Sequence, residues 1–217
     1  MLIHPWDAAR DGDEWRDWLR TRDFGLLAVN GVHGGPPVVV PTHFLFDPDD
    51  EAILLHLARP NPVWPALEAD PAVVVSVHDD YAYIPSTWRS DSPDSGVPTS
   101  YYASVQLTCS ARIVDDKDGK ADILRRQLAH HQPDGGHGLV AADEGPYRKM
   151  LSAIRGLRLQ VVGVRAKFKY DDHKPAALRE RVADGLAARD LPGDAGARAQ
   201  QLRRMAARQD PSPTACG

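Results

Sequence analysis

The chain has 217 residues, 42% of them apolar, with 26 basic against 30 acidic side chains and a formal net charge of −4. A chain of this length and composition can bury a core of its own and suits one domain, which excludes global disorder. The charge gives no general pull toward nucleic acid or acidic membranes, and no run of 18 apolar residues is present, so neither partner is expected. Met1-Leu2-Ile3-His4-Pro5-Trp6-Asp7 does not read as a secretion signal, and Cys109 and Cys216 build no disulfide framework, so a cytoplasmic location is expected.

Asp11 to Arg22 reads as a short amphipathic helix, capped by Asp11 or Asp13, with Trp15, Trp18 and Leu19 on one face. The period then changes to that of strands. Phe24 to Val29 ends at the turn signal Asn30-Gly31, and Val38 to Phe46, Ala52 to Ala58 and Ala72 to Val77 are β-branched-rich runs of strand length. Asn61-Pro62 opens a short helix through Leu67, and His78, beside Asp79-Asp80, reads as a solvated turn residue. Arg89 to Pro98, rich in Ser and Asp with Gly96 and two prolines, reads as a mobile loop.

Ser100 to Val114 and Arg158 to Tyr170 are long strands. Helices are expected over Asp118–His131, Pro146–Ile154 and Pro175–Ala188, with His130 and His131 at a helix terminus. The early strands are joined by turns, too short for parallel crossovers, so the pattern predicts a mostly β protein with peripheral helices (α+β), an antiparallel barrel. Residues 1–190 are expected to form this domain and 191–217 a helical or flexible tail. From Lys174 onward eight basic face five acidic side chains, and no helix-turn-helix is evident, so DNA is not an expected partner.

Four segments carry a family resemblance in their order and spacing. They are Pro41-Thr42-His43-Phe44, His56-Leu57-Ala58-Arg59-Pro60-Asn61-Pro62-Val63-Trp64, Tyr81 to Trp88, and Val97-Pro98-Thr99-Ser100-Tyr101-Tyr102. A fifth is Gly163-Val164-Arg165-Ala166-Lys167-Phe168-Lys169. Over roughly Met1 to Leu186 the chain resembles the PaiB-like family, FMN-binding negative regulators of the flavin-reductase and pyridoxamine-phosphate-oxidase-like split-barrel kind. The pattern departs from that family at three places. Ser100-Tyr101 stands where the family has Trp-Asn, Tyr170-Asp171-Asp172-His173 where it has Leu-Ser-Gln-Asn, and Val63 where it has Gln. A smaller branch with the same scaffold, the piperazate synthases, uses heme to close a nitrogen–nitrogen bond in ornithine hydroxylated on its side-chain nitrogen, and the chain is most similar to that branch.

The resemblance implies heme b, with FMN as the alternative, a small amino-acid substrate, and a homodimer with the cofactor cleft between subunits. It implies cofactor contacts from His56, Arg59, Asn61, Trp64, Ser86, Trp88 and Lys169. Thr42, Tyr101 and Lys167 are the implied catalytic groups. His56 lies in a strand apolar on both sides, so each ring nitrogen needs a partner: either backbone, or heme iron on one side and a fixing acceptor on the other. His43 shares that ambiguity. Arg59 and Asn61, beside free helix amides, suit a phosphate or propionate, although Asn61 also serves as a cap. Trp88, Tyr101 and Tyr102 offer aromatic faces to a flat ring system or to ordinary packing. Lys167 and Lys169 share a strand face and could hold a carboxylate or stand in solvent. The loop 89–98 would close over the site.

Overall fold

The computed structural model describes residues 1–90, 92 and 95–206. Seven strands form one sheet in the order β2-β1-β5-β6-β7-β4-β3: β1 Phe24–Val29, β2 Val38–His43, β3 Leu45–Asp47, β4 Ala52–Ala58, β5 Ala72–Ile84, β6 Thr99–Val114 and β7 Ile154–Lys169. The pairs β1–β2, β1–β5, β3–β4 and β4–β7 are all antiparallel. Six helices accompany the sheet: α1 Gly12–Arg20, α2 Trp64–Ala69, α3 Ser86–Arg89, α4 Lys117–His131, α5 Ala176–Arg189 and α6 Asp194–Ala206. This is the expected α+β architecture, mostly β, of the split-barrel class.

Two compact units divide the chain. The sheet unit comprises Asp13–Val77 and Gln106–Arg165, and the helical unit comprises Met1–Gly12, His78–Val105 and the chain from Ala166 onward. The long strands β5, β6 and β7 contribute residues to both.

In the sheet unit, alternation decides which side chains go inward. Leu27 and Val29 of β1 and Val73, Val75 and Val77 of β5 are buried at every second position. β4 is different: Ala52 to Leu55 are all buried, because this strand runs between β3 and β7 and is covered on both faces. One cover is α4, whose Ile123 packs with Leu54 and Val114. Asp116 caps α4, its carboxylate accepting from the Gly119 amide at 2.7 Å. Gly25 is required where β1 meets β5: a β-carbon there would sit 2.9 Å from the Ser76 carbonyl and 3.0 Å from Val77.

In the helical unit, apolar Phe168, Tyr170, Val182 and Leu186 are buried with a charged cluster. Asp172 accepts from Arg179 at 3.0 Å and from Arg204 at 2.8 Å, and Arg10 reaches it at 3.1 Å. The side chains of Asp172, Arg179 and Arg204 are each 4% exposed or less. Helix α6 is tied to α5, with Gln201 donating to the Arg179 carbonyl and Arg198 to that of Ala183.

Several boundaries differ from those expected. The strand expected over Val38–Phe46 is two strands, because the chain changes partner at Phe44: Val38–His43 pairs with β1 and Leu45–Asp47 with β4. β5 does not stop at Val77. Asp80 adopts φ 54°, a left-handed conformation that Asp tolerates, and the buried alternation resumes at Ala82 and Ile84. His78 is therefore an exposed strand residue and not a turn residue. The helix expected over Pro146–Ile154 shrinks to a single 3-10 turn, Met150–Ala153, after Gly145 at φ 74° and Pro146.

Asp172→Ala would strand buried guanidinium groups and is expected to cost about 3–5 kcal/mol, read as a lower urea midpoint. Gly25→Ala is expected to cost about 1–3 kcal/mol in the same measurement, since β5 backbone must yield to the new methyl group. An unchanged midpoint in either variant contradicts the packing described.

Candidate functional site

The face of α4 that lies on β4 positions the candidate ligand. Leu54 and His56 are two apart on the strand and point the same way, and Ile123 and Gln127 are four apart on the helix and do likewise. Leu54 meets Ile123, and one step further along His56 Nδ1 meets Gln127 Oε1 at 2.7 Å. Gln127 is 2% exposed, and its Nε2 donates to the Leu54 carbonyl at 3.4 Å, which turns its oxygen toward the imidazole. This orientation of the amide favours the tautomer with the proton on Nδ1. A fixing acceptor on one ring nitrogen is found both for metal-ligating histidines and for histidines of an ordinary core, and the geometry is compatible with either.

His43 stands beside it, the two rings meeting edge to face with centroids 5.4 Å apart. Burial, and then the neighbouring His56 and His131 rings, push the His43 pKa below the ordinary 6.5. Thr42 is buried, its hydroxyl donating to the His43 carbonyl at 3.1 Å. The other expected contacts on this unit are engaged locally. Arg59 donates to the carbonyls of Ser152 and Ile154 and pairs with Asp115 at 3.5 Å. Asn61 accepts from the Val63 amide at 3.0 Å, shaping the turn before α2. Trp64 is buried, donates its indole N–H to the Ala58 carbonyl, and carries the Arg155 guanidinium 4.8 Å from its ring centre.

The remaining expected residues belong to the helical unit. Tyr101 is fully buried, and its hydroxyl donates to Asp171 at 3.2 Å and accepts from Gln201 at 3.3 Å. Burial and the Asp171 carboxylate drive its pKa far upward, so Tyr101 holds its proton throughout the physiological range. Its ring meets Tyr170 edge to face at 5.5 Å, and Arg89 also pairs with Asp171. The departures from the family pattern at Tyr101 and at Tyr170-Asp171 are thus direct partners of each other.

Lys167 donates to the Leu2 carbonyl at 2.9 Å and pairs with Asp7 at 3.7 Å. Lys169 donates to Thr99 at 2.8 Å, and both ammonium groups stand over the Tyr102 ring, 5.6 and 5.8 Å from its centre. Burial, and then the charge of Lys167, lower the Lys169 pKa from its ordinary 10.5, while burial raises that of Asp7. Ser86 begins α3. Trp88 lies against Arg189, 4.8 Å from its ring centre, in room left by Gly185, where a β-carbon would sit 2.7 Å from the indole. Of the expected lid, residues 91, 93 and 94 lie outside the described residues, as does Cys216.

The structure thus brings His56 and His43 together and separately gathers Lys167 and Lys169. Gln127, Asp7 and Asp171 were passed over in sequence reasoning. Gln127 carried a usable signal, being four residues after the core-facing Ile123 on the same helix face.

Among the described residues no helix is long and apolar enough to cross a membrane. The protease synthase and sporulation protein PAI 2 of Bacillus subtilis is 25% identical over 178 residues, covering 80% of this chain and 83% of that protein. The FAD and heme binding protein from Mycobacterium smegmatis superposes with a TM-score of 0.59 at 21% identity, over 82% of this chain and 80% of that one. The flavocytochrome Anf3 from Azotobacter vinelandii gives 0.57 at 19%, over 78% and 72%. These likenesses of structure establish the fold. A family described as "Putative FMN-binding domain" matches residues 1–162, three quarters of the sequence, and the chain belongs to that PaiB-like split-barrel family.

Proposed function

We propose that this chain is a heme-binding enzyme of the family, in which His56 would hold the iron, that closes the nitrogen–nitrogen bond of piperazic acid from ornithine hydroxylated on its side-chain nitrogen. The observation that carries the reading is the 2.7 Å hydrogen bond from His56 Nδ1 to Gln127, which leaves Nε2 as a donor for iron. Arg59 and Asn61, which would take a flavin phosphate or a heme propionate, are engaged by the chain's own carbonyls, carboxylate and amide and so favour neither cofactor. One further observation supports the reading. The substitutions at Tyr101 and Asp171 replace family residues as a bonded pair.

Bound heme would supply a Lewis-acidic iron able to weaken the nitrogen–oxygen bond. The chain's own part is binding and orientation. Within the helical unit Lys167 and Lys169 are paired cations able to hold a carboxylate, and Tyr101 fixes the Asp171 carboxylate there; within the sheet unit Thr42 holds the end of β2 beside His43. The α-amine attacks the side-chain nitrogen, the nitrogen–oxygen bond breaks, and hydroxide leaves with the amine proton as water. The ring closure is redox-neutral and needs no external oxidant. A cleft completed by a second copy of the chain is part of the same proposal.

The second reading is an FMN-binding oxidoreductase or metabolic regulator, which membership of the family favours. Absorbance of the purified chain, with and without added hemin, separates the two. A Soret band that His56→Ala abolishes and His43→Ala retains is expected, with Gln127→Ala weakening heme affinity about 10–100-fold. A flavin spectrum in its place overturns the heme assignment, and a Soret band unchanged in His56→Ala moves the ligand elsewhere. The hydroxylated ornithine should give a product lighter by one water, and unreacted substrate would sink the proposed reaction.

A further inference from the structure

We propose that Asp23, His130 and His131 form a binding site for a divalent transition metal of the zinc type, separate from the cofactor ligand His56. The site lies wholly in the sheet unit. Asp23 is held just before β1, where its carbonyl accepts from the Phe44 amide at 2.7 Å. His130 and His131 are the last two residues of α4.

Two consecutive helical residues point about 100° apart, so they do not normally share a ligand. Here the pair uses different nitrogens to converge. His130 presents Nε2, the far nitrogen, 3.7 Å from Asp23 Oδ2, and His131 presents Nδ1, the near one, 3.3 Å from the same oxygen. All three donor atoms lie within 4.8 Å of one another. Ligands at the usual zinc distances of about 2.0–2.1 Å in a tetrahedral shell stand about 3.4 Å apart, and the two distances to the Asp23 oxygen, 3.7 and 3.3 Å, lie on either side of that value. A donor set of two imidazoles and one carboxylate suits zinc and cobalt over magnesium or calcium, which take oxygen. Three protein ligands leave a fourth position for water.

The placement gives the ion work to do. The ion would add a tie between the C-terminus of α4 and the segment leading into β1. His131 lies one turn beyond Gln127, the residue that holds His56, and its ring meets that of His43 edge to face at 5.5 Å. Metal occupancy would therefore steady the helix that orients His56, without the metal touching that residue. The alternative is that the two histidines serve only as a charged pair for Asp23 and the helix dipole.

The test uses the full chain, produced without a histidine tag and freed of metal with a chelator, titrated with Co2+ and then with Zn2+. One Co2+ per chain at micromolar concentration is expected, with the visible bands of a tetrahedral or five-coordinate centre, bleached as Zn2+ replaces it. Saturating Zn2+ should raise the thermal midpoint. His131→Ala and Asp23→Asn, both at partly exposed positions, should weaken binding about 100-fold or more and lose the thermal shift, with the circular dichroism spectrum of the parent. His56→Ala should bind Co2+ as the parent does, which keeps this result independent of the heme assignment. No stoichiometric binding, or binding that persists in His131→Ala and Asp23→Asn, overturns the proposal and leaves the charged pair.

Discussion

The register of α4 on β4 is the constraint from which the candidate chemistry follows. Leu54 against Ile123 sets the depth of the helix on the strand, and that apolar contact places Gln127 opposite His56 with nothing left to adjust. A helix shifted by one residue would turn Gln127 about 100° away and take this partner from the half-buried His56. Burial of Gln127 to 2% exposure makes the alternative costly, because an unpaired amide there forfeits about 1–3 kcal/mol. Packing therefore selects the histidine tautomer, and the tautomer decides which nitrogen is available for chemistry.

The helical unit is organised on a different principle. Its centre is a carboxylate, Asp172, among the guanidinium groups of Arg10, Arg179 and Arg204. A second carboxylate, Asp171, lies between Arg89 and the Tyr101 hydroxyl. Buried charges of this kind add little stability over an apolar core, but they tolerate only one arrangement of their partners. The arrangement fixes the last turns of β7, the start of α5 and the face of α6 together. It also explains why α6 is well seated despite an alanine- and arginine-rich sequence with little apolar content: Gln201 and Arg204, both buried, replace the leucines a packed helix would ordinarily present.

How far the sequence reveals this depends on whether a feature is local. β1 and β4 were legible to the residue because β-branched and apolar runs end at turn signals. α1, α4 and α5 were legible within one or two residues from caps and periodicity. The continuation of β5 past Val77 was hidden, because two aspartates read as a stop and only the left-handed conformation of Asp80 lets the strand pass them. His56 was legible as a histidine in need of partners. Gln127, 71 residues away, was legible as a residue on the inward face of its helix but not as the partner of His56, since nothing in one sequence states which helix covers which strand. Arg59 and Asn61 looked like an anion site because donors beside helix amides often are one. Their carbonyl and amide partners at Ser152, Ile154 and Val63 became visible only with the fold.

The departures from the family pattern gain meaning from the same distinction. In sequence, Ser100-Tyr101 and Tyr170-Asp171 are two separate substitutions about seventy residues apart, each of which could be drift. In the structure Tyr101 donates to Asp171 and stacks edge-on against Tyr170, while Arg89 closes the group. Neither half is stable alone. A buried tyrosine hydroxyl without Asp171 loses its acceptor, and a buried Asp171 without Tyr101 and Arg89 is an uncompensated charge. The two positions are therefore coupled energetically, and a change at either one is felt at the other through the shared Asp171 carboxylate.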